Sequence, residues 1–241
     1  MSRDDQRAPL ERGTAPPATP AHTAAAHAAP EIRMAVFADS VAFAEHVLRH
    51  SRESGLEGSL HFALSRSPAV DEVRDSARAR WSRRLIEPLW GRAWLLWGDV
   101  PEGDSERGCE GRAQPLGFRA TGAADPRAMS NGRPGARRRV VGHVELRGGR
   151  VRAELHRAVL AMGIQRAFTR QGYGPRLIEV AVRWARDEAK LSWIDLGVFS
   201  HNEPARKLYS RMGFIELGMQ RDAFRIDAGL SVDDIRMTLK L

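Results

Sequence analysis

The sequence is poor in cysteine and lysine and lacks long apolar runs. Cys109 is the only cysteine among 241 residues, so no disulfide can form within the chain. No Cys/His cluster has the spacing of metal ligands, and we expect a protein without a metal. No segment approaches the length of a membrane-spanning helix, and the Ala-rich stretch at residues 24–29 is too short and too weakly apolar for a signal peptide. These absences predict a cytoplasmic protein that does not enter membranes.

Positive charge comes almost entirely from arginine. The formal net charge is +8, while lysine occurs only at Lys190, Lys207 and Lys240. The arginines are scattered, and no helix-turn-helix, RNA-recognition or zinc-finger pattern accompanies them, which disfavours nucleic acid as the main partner. Hydrophobic residues make up 42% of the chain, enough for a packed core.

Composition divides the chain into four stretches. Residues 1–30 are rich in Ala, Pro and Thr and predict a disordered tail. Residues 31–100 predict the order strand, helix, helix, strand. Residues 101–139 are dense in Gly, Pro and charge and predict a flexible insertion within one domain spanning 31–241; a linker between two domains is the alternative. Regular patterning returns at Val140.

A hairpin is predicted after Val140. Residues 141–146 alternate between apolar and polar, and Gly148-Gly149 is typical of a two-residue turn. Residues 151–164 then predict a long returning strand. One face of this hairpin carries polar side chains, namely His143, Glu145, Arg152, Glu154 and His156. The apolar residues change parity at Leu160, which requires a bulge or burial of both faces.

A glycine-containing turn leads from this strand into a helix predicted from Pro175 to about Lys190. Gly172 and Gly174 lack Cβ atoms where a backbone must approach a ligand or adopt positive φ. A helix N-terminus flanked by Arg170 and Arg176 is a natural anion site, and a diphosphate fits it. A turn that merely needs glycine is the alternative. The spacing matches neither a dinucleotide-binding fingerprint nor a P-loop.

The rest of the chain predicts a strand at residues 193–199, a short helix after Asn202 that ends at Gly213, and two closing strands. Asn202 is predicted to cap this helix. The complete order of elements describes an α/β or α+β fold, with helices on the faces of a mixed central sheet.

The segment from Asn202 to Phe214 reads NEPARKLYSRMGF. It resembles the N-x-x-A-x-x-L-Y-x-x-x-G-F pattern of the GNAT superfamily of N-acetyltransferases, in particular the ribosomal-protein type, with every marked position filled. The glycine turn resembles the family's [QR]-x-x-G-x-[GA] motif at Gly172 and Gly174. Thr169 departs from it, standing where the family has Gln or Arg. The resemblance covers residues 140–241.

The resemblance implies a GNAT fold in which the strand around Met162 and Ile164 splays from the strand at residues 193–199. It implies direct acetyl transfer from acetyl-CoA to an amine, with the pantetheine arm lying in the gap. Tyr209 would protonate the departing thiolate, and Asn202 would contact the coenzyme besides capping its helix. The implied coenzyme-binding residues are Met162, Ile164, Arg170, Gln171, Gly172, Tyr173, Gly174, Pro175, Arg176, Asn202 and Tyr209.

The general base is the least determined role. Glu154 is our candidate, because GNAT enzymes often place a base on this strand; a solvated hairpin face is the alternative reading. Asp195 on the next strand is a second candidate. Asp227, Asp233 and Asp234 either border the acceptor pocket or belong to a hairpin turn.

The sequence leaves the acceptor open between a small molecule and a protein, and it is compatible with a homodimer. Two other functions stay open. One is a GNAT module that binds acetyl-CoA without catalysis, which the change at Thr169 favours. The other is a basic interaction protein that uses residues 133–139 to hold nucleic acid or acidic partners.

Overall fold

The computed structural model describes residues 29–54, 68–101, 136–227 and 230–241. Most of the predicted tail, Cys109 and most of the predicted insertion lie outside these residues. The described chain forms seven strands and four α-helices, in the order β1 (Glu31–Met34), α1 (Ser40–Glu53), α2 (Val70–Trp81), β2 (Gly91–Pro101), β3 (Ala136–Gly148), β4 (Arg157–Ile164), α3 (Tyr173–Asp187), β5 (Trp193–Phe199), α4 (Glu203–Arg211), β6 (Ile215–Asp227) and β7 (Leu230–Lys240).

The strands form one sheet in the order β1-β2-β3-β4-β5-β7-β6. Neighbouring strands are antiparallel except for β4 and β5, which are parallel. Strand β3 begins at Ala136 and pairs there with Pro101, so ordered structure starts four residues before the predicted Val140. The mixed α/β fold class is confirmed.

Alternation along β2 assigns the helices to opposite faces of the sheet. Trp94 and Leu96 belong to the larger core cluster with the buried stripe of α3, whereas Ala93 and Leu95 pack with Phe43 of α1 and Ala77 of α2. Successive strand side chains point to opposite faces, so α1 and α2 cover one face and α3 covers the other. The Trp184 ring of α3 lies 5.3 Å from the Trp94 ring, in edge-to-face geometry.

Buried polar groups fix α1 and α2 to β3. His46 of α1 shares a 2.9 Å hydrogen bond with His143 of β3. Glu145, fully buried on the same face, accepts hydrogen bonds from Arg80 of α2 and from Arg147. These arginines hold the pKa of Glu145 below its ordinary value although burial opposes the charge. Each contact gives a buried polar group of the sheet a hydrogen-bond partner from a helix, as burial of a polar group requires.

None of the described helices is both long and apolar enough to cross a membrane.

Candidate active site

Strands β4 and β5 separate along their length. They pair only at Arg157–Trp193, Ala158–Ile194 and Val159–Asp195, although β4 continues to Ile164 and β5 to Phe199. Beyond the third pair their facing backbone edges do not pair with each other. The predicted splay around Met162 and Ile164 is confirmed. Both side chains are half-buried and pack against the larger core cluster.

The segment after β4 turns sharply at the open end of this gap. A short 3-10 turn, Arg166–Phe168, is followed by two residues with positive φ, Arg170 at 59° and Gly172 at 80°. Arg170 and Gln171 are exposed, and Gln171 donates a side-chain hydrogen bond to the Ala167 carbonyl. A Cβ at Gly172 would meet no atom within 4 Å. Gly172 is therefore required by its backbone conformation, and the space beside it is open.

Helix α3 begins at Tyr173, two residues before the predicted start, so Pro175 is the third helical residue. Gly172 is its N-cap and supplies no side-chain acceptor, which leaves the first N–H groups available to an outside partner. Arg176 is exposed and lies over the Tyr173 ring at 5.8 Å. The helix dipole and two exposed arginines make this end of α3 suited to an anion.

Gly174 brings α3 against α4. A Cβ at Gly174 would lie 3.0 Å from the Leu208 side chain of α4. Gly172 is thus required by its backbone conformation, whereas Gly174 is required because a side chain would contact Leu208. Through this contact the start of α3 and the middle of α4 become neighbours, which brings the two motifs of the sequence together.

Helix α4 carries the two remaining predicted residues. Asn202 accepts a 3.3 Å hydrogen bond from the Ala205 N–H, which confirms it as the N-cap. Tyr209 is buried, and its ring packs edge-on against Phe214 at a centroid distance of 5.8 Å. Burial raises the pKa of the Tyr209 phenol well above its ordinary value, so the hydroxyl stays protonated at neutral pH.

The predicted hairpin geometry is wrong. Leu146 pairs with Leu160 and Val144 with Met162, so the connection between β3 and β4 spans residues 149–156 and contains a 3-10 turn at Arg152–Glu154. Neither Gly148 nor Gly149 has positive φ, which a two-residue turn requires. Instead, Gly148 packs against the Trp90 indole and Gly149 against Glu154. The apolar residues appear to change parity because residues 151–156 belong to the connection and β4 begins only at Arg157.

The structure therefore places the predicted base, Glu154, in this turn. Its carboxylate is exposed and accepts a 2.7 Å hydrogen bond from the Arg150 N–H. Met162 and Ile164 lie roughly 16 to 23 Å along β4 from its first residue, at about 3.3 Å per residue. Glu154 is consequently at the closed end of the strand pair, away from the gap.

The structure also places the other polar residues of the predicted hairpin face in different environments. His156 is exposed in the turn, whereas His143 and Glu145 are buried beneath α1 and α2. Burial, reinforced by the neighbouring His50, lowers the pKa of His143 to about 3. These two residues attach helices to the sheet.

Asp195 lies beside the last rung that joins β4 to β5. Its carboxylate accepts two hydrogen bonds from Arg157, at 2.7 and 2.6 Å, and one from the Thr238 hydroxyl at 2.6 Å. Arg157 and Thr238 hold its pKa below the ordinary value although burial opposes this. Because Asp195 of β5 bonds to Arg157 of β4 and Thr238 of β7, it holds the three strands together at the closed end of the gap.

Asp234 of β7 lies next to the open end. It is 3% exposed, and its carboxylate lies over Gly197 of β5, which is beyond the part of β5 that pairs with β4. From the sequence, Asp234 is one of several acids that either border the acceptor pocket or belong to a hairpin turn. Its position over Gly197 depends on the pairing of strands that are far apart in sequence.

Comparison with known proteins agrees with this geometry. Residues 116–214 match the model of the Acetyltransferase (GNAT) family. Among solved structures, yncA of Salmonella typhimurium with its cofactor acetyl-CoA is 16% identical, with a TM-score of 0.60 over 89% of this chain and 95% of that one.

Two further structures have named acceptors. The ribosomal-protein-alanine N-acetyltransferase of Brucella melitensis is 17% identical, with a TM-score of 0.57 over 88% of this chain and 99% of that one. The spermidine N-acetyltransferase of Vibrio cholerae, in complex with CoA and spermine, is 16% identical, with a TM-score of 0.57 over 88% and 95% of the two chains. At these identities the likeness shows the fold.

The splayed strands, the helix N-terminus beside them and the family match define an acyl-CoA N-acyltransferase. More particularly, its residues 116–214 are similar to the Acetyltransferase (GNAT) family.

Proposed function

We propose that this protein transfers acetyl from acetyl-CoA directly to a primary amine. One observation carries the proposal: the gap between β4 and β5 opens at the same end of the sheet as the uncapped N-terminus of α3. A ligand with a diphosphate and an extended amide-bearing arm matches both features. The diphosphate suits the N–H groups and arginines of residues 170–176, and the arm suits the unpaired strand edges.

Different residues of this chain would contact different parts of acetyl-CoA. Arg170, Gln171, Gly172, Tyr173, Gly174, Pro175 and Arg176 would hold the diphosphate, and the backbone at Met162 and Ile164 would pair with the arm. Asn202 would border it. Thr169 takes no part, because its hydroxyl donates to the Arg166 carbonyl and closes the turn. Arg170 supplies the positive charge at this point of the turn.

Tyr209 would act as the general acid. Its raised pKa keeps the proton on the phenol, and a protonated hydroxyl can donate to a departing thiolate. Spermidine and an alanine of a ribosomal protein are the acceptors named for two proteins with this fold. We propose a primary amine as the shared chemistry.

A thermal-shift titration with acetyl-CoA, CoA and NADH in parallel tests coenzyme binding. Acetyl-CoA and CoA should stabilise the protein with saturation. At a hundredfold excess over Kd this amounts to about 2.7 kcal/mol, or roughly 5 to 11 °C in Tm. NADH should give no shift. Equal shifts with all three, or none with acetyl-CoA, would contradict the proposal.

Tyr209→Phe tests the acid. We expect kcat to fall about a hundredfold, at the lower end of general-acid effects because a thiolate leaves readily, with acetyl-CoA affinity unchanged by calorimetry. Ser210→Ala removes a hydroxyl from the adjacent, exposed position of α4 and should leave kcat unchanged. Tight acetyl-CoA binding by the wild type without transfer to any amine would instead indicate a binding module.

A further inference from the structure

The face of β5 that points away from α3 carries Asp195, Gly197 and Phe199. These residues pair with Thr238, Arg236 and Asp234 of β7, respectively. Their neighbours Ile194, Leu196 and Val198 belong to the core on the α3 side. Since facing residues of antiparallel strands share a face, Asp234 projects from the same side as Gly197.

Gly197 provides the space that Asp234 occupies. A Cβ at Gly197 would lie 2.8 Å from both carboxylate oxygens of Asp234. The carboxylate therefore crosses from β7 over the backbone of β5. It reaches the part of β5 that has separated from β4, which is the wall of the gap.

Asp234 has few internal partners compared with Asp195. Among the contacts seen in the described residues, its only side-chain partner is Arg236, whose Nε donates to Oδ2 at 2.9 Å. Arg236 is itself largely exposed. Asp195 on the same face has three strong hydrogen bonds. A nearly buried carboxylate with an oxygen left over for another donor is suited to accept a proton.

We propose that Asp234 is the general base that takes the proton from the attacking amine. The inference rests on the acetyl transfer proposed above. As the amine nitrogen forms a bond to the acetyl carbonyl carbon, the C–S bond breaks and Tyr209 gives its proton to the thiolate. The proton lost by the nitrogen passes to Asp234 and then to solvent, which also reprotonates Tyr209.

The positions of the two residues fit opposite roles in this step. Tyr209 belongs to the core cluster on the α3 side of the sheet, and Asp234 projects from the other side. A carbonyl carbon in the gap between β4 and β5 would therefore have the base on one side and the acid on the other. Amine approach and thiolate departure would then use different faces of the sheet.

The groups around Asp234 determine how strongly its carboxylate binds a proton. Burial raises the pKa of Asp234, and Arg236 of β7 opposes this rise. Asp195 lies two residues from Gly197 along β5, and the His201 ring packs against Phe199. Phe199 of β5 and Gln220 of β6, which pair directly with Asp234, carry no charge.

The main test compares Asp234→Asn with Asp195→Asn, two isosteric changes on one face of the sheet. The probes are spermidine and an Ala-initiated peptide. For Asp234→Asn, we expect kcat/KM for the amine to fall 100-fold to 1000-fold, with loss of the ascending limb of its pH profile and unchanged acetyl-CoA affinity. Asp195→Asn should retain kcat/KM within a few-fold. Wild-type turnover by Asp234→Asn would overturn the proposal and leave the transfer proposal intact.

Thermal unfolding at pH 8 gives a second readout that needs no acceptor. A carboxyl whose pKa is raised on folding destabilises the fold once it ionises, so Asp234→Asn should raise Tm. Asp195→Asn should lower Tm, because that carboxylate is stabilised by its partners. If both substitutions lower Tm, Asp234 is a structural ion-pair residue and the proposal fails.

Gly197→Ala tests the position of the carboxylate without removing it. The added methyl should displace Asp234 from β5 and lower kcat/KM for the amine at least tenfold, with Kd for acetyl-CoA within a few-fold of the wild type. Unchanged kcat/KM would contradict the placement of the base over Gly197. Absence of acetyl-CoA binding in the wild type would count against the acetyltransferase function itself.

Discussion

Three glycines lie around the gap, and each is required for a different reason. Gly172 adopts positive φ beside open space, Gly174 admits Leu208 of α4, and Gly197 admits the carboxylate of Asp234. A substitution at each position should therefore fail in a different way. The sequence shows only that glycine is present; the structure gives the reason.

Gly172→Ala should destabilise the protein by about 1 to 2 kcal/mol, because a residue with a Cβ is strained at φ near 80°. Urea unfolding at pH 7 measures this cost. Gly172→Asn is the matched control, since asparagine tolerates left-handed backbone better than alanine. A larger loss for asparagine than for alanine would show that the side chain, rather than the backbone, limits this position.

Residues whose roles depend on neighbours in sequence could be predicted well. Asn202 caps α4 through a contact three residues away, and Gly172 marks a turn whose shape is local. The base that we propose, Asp234, could not be predicted in this way. Glu154 is the candidate from the polar face of the predicted hairpin and the GNAT resemblance, whereas the contact of Asp234 with Gly197 joins residues brought together only by the pairing of β5 with β7.

Helix α1 is attached to the sheet through uncharged histidines. Burial lowers the pKa of His46 well below its ordinary value and that of His143 to about 3, and the two rings share a hydrogen bond. Both groups must be neutral in the folded protein and can gain protons on unfolding. The attachment of α1 therefore depends on pH.

Stability should fall as pH decreases below the unfolded histidine pKa of about 6.5, because the unfolded chain then binds more protons. Each of the two histidines contributes up to about 1.4 kcal/mol per pH unit between that value and its folded pKa. Urea unfolding at pH 7, 6 and 5 measures the slope. His143→Asn should reduce it; an equal slope in that variant would assign the dependence to other groups.

Element boundaries were predicted best where both ends carry local signals. Strand β5 was predicted at residues 193–199 and is found there, and α4 ends before Gly213, whose φ is 90°. The connection from β3 to β4 was predicted wrongly because Gly148-Gly149 resembles a turn. These glycines instead accommodate Trp90 and Glu154, and a long-range packing requirement of this kind has no local signature.

At the scale of the whole molecule, the gap leaves backbone groups of β4 and β5 unpaired with each other within the plane of the sheet. The amides of β4 beyond Val159 that point away from β3 face a gap instead of β5, so they should exchange hydrogen faster than the β4 amides that pair with β3. Saturating CoA should slow exchange in residues 160–164 and in the first turn of α3, with little change in β1. Uniform protection along the whole chain would indicate global stabilisation without a bound arm.

Three rungs of backbone pairing join a four-stranded half, β1 to β4, to a three-stranded half made of β5, β7 and β6. Mechanically, this joint is a hinge within a sheet that is otherwise continuous. Asp195 and its partners clamp the axis of the hinge, while Asp234 and the start of α3 lie on the side that opens. The softest motion of the protein should therefore widen and narrow the gap, and a ligand bound there would stiffen strands as distant as β6.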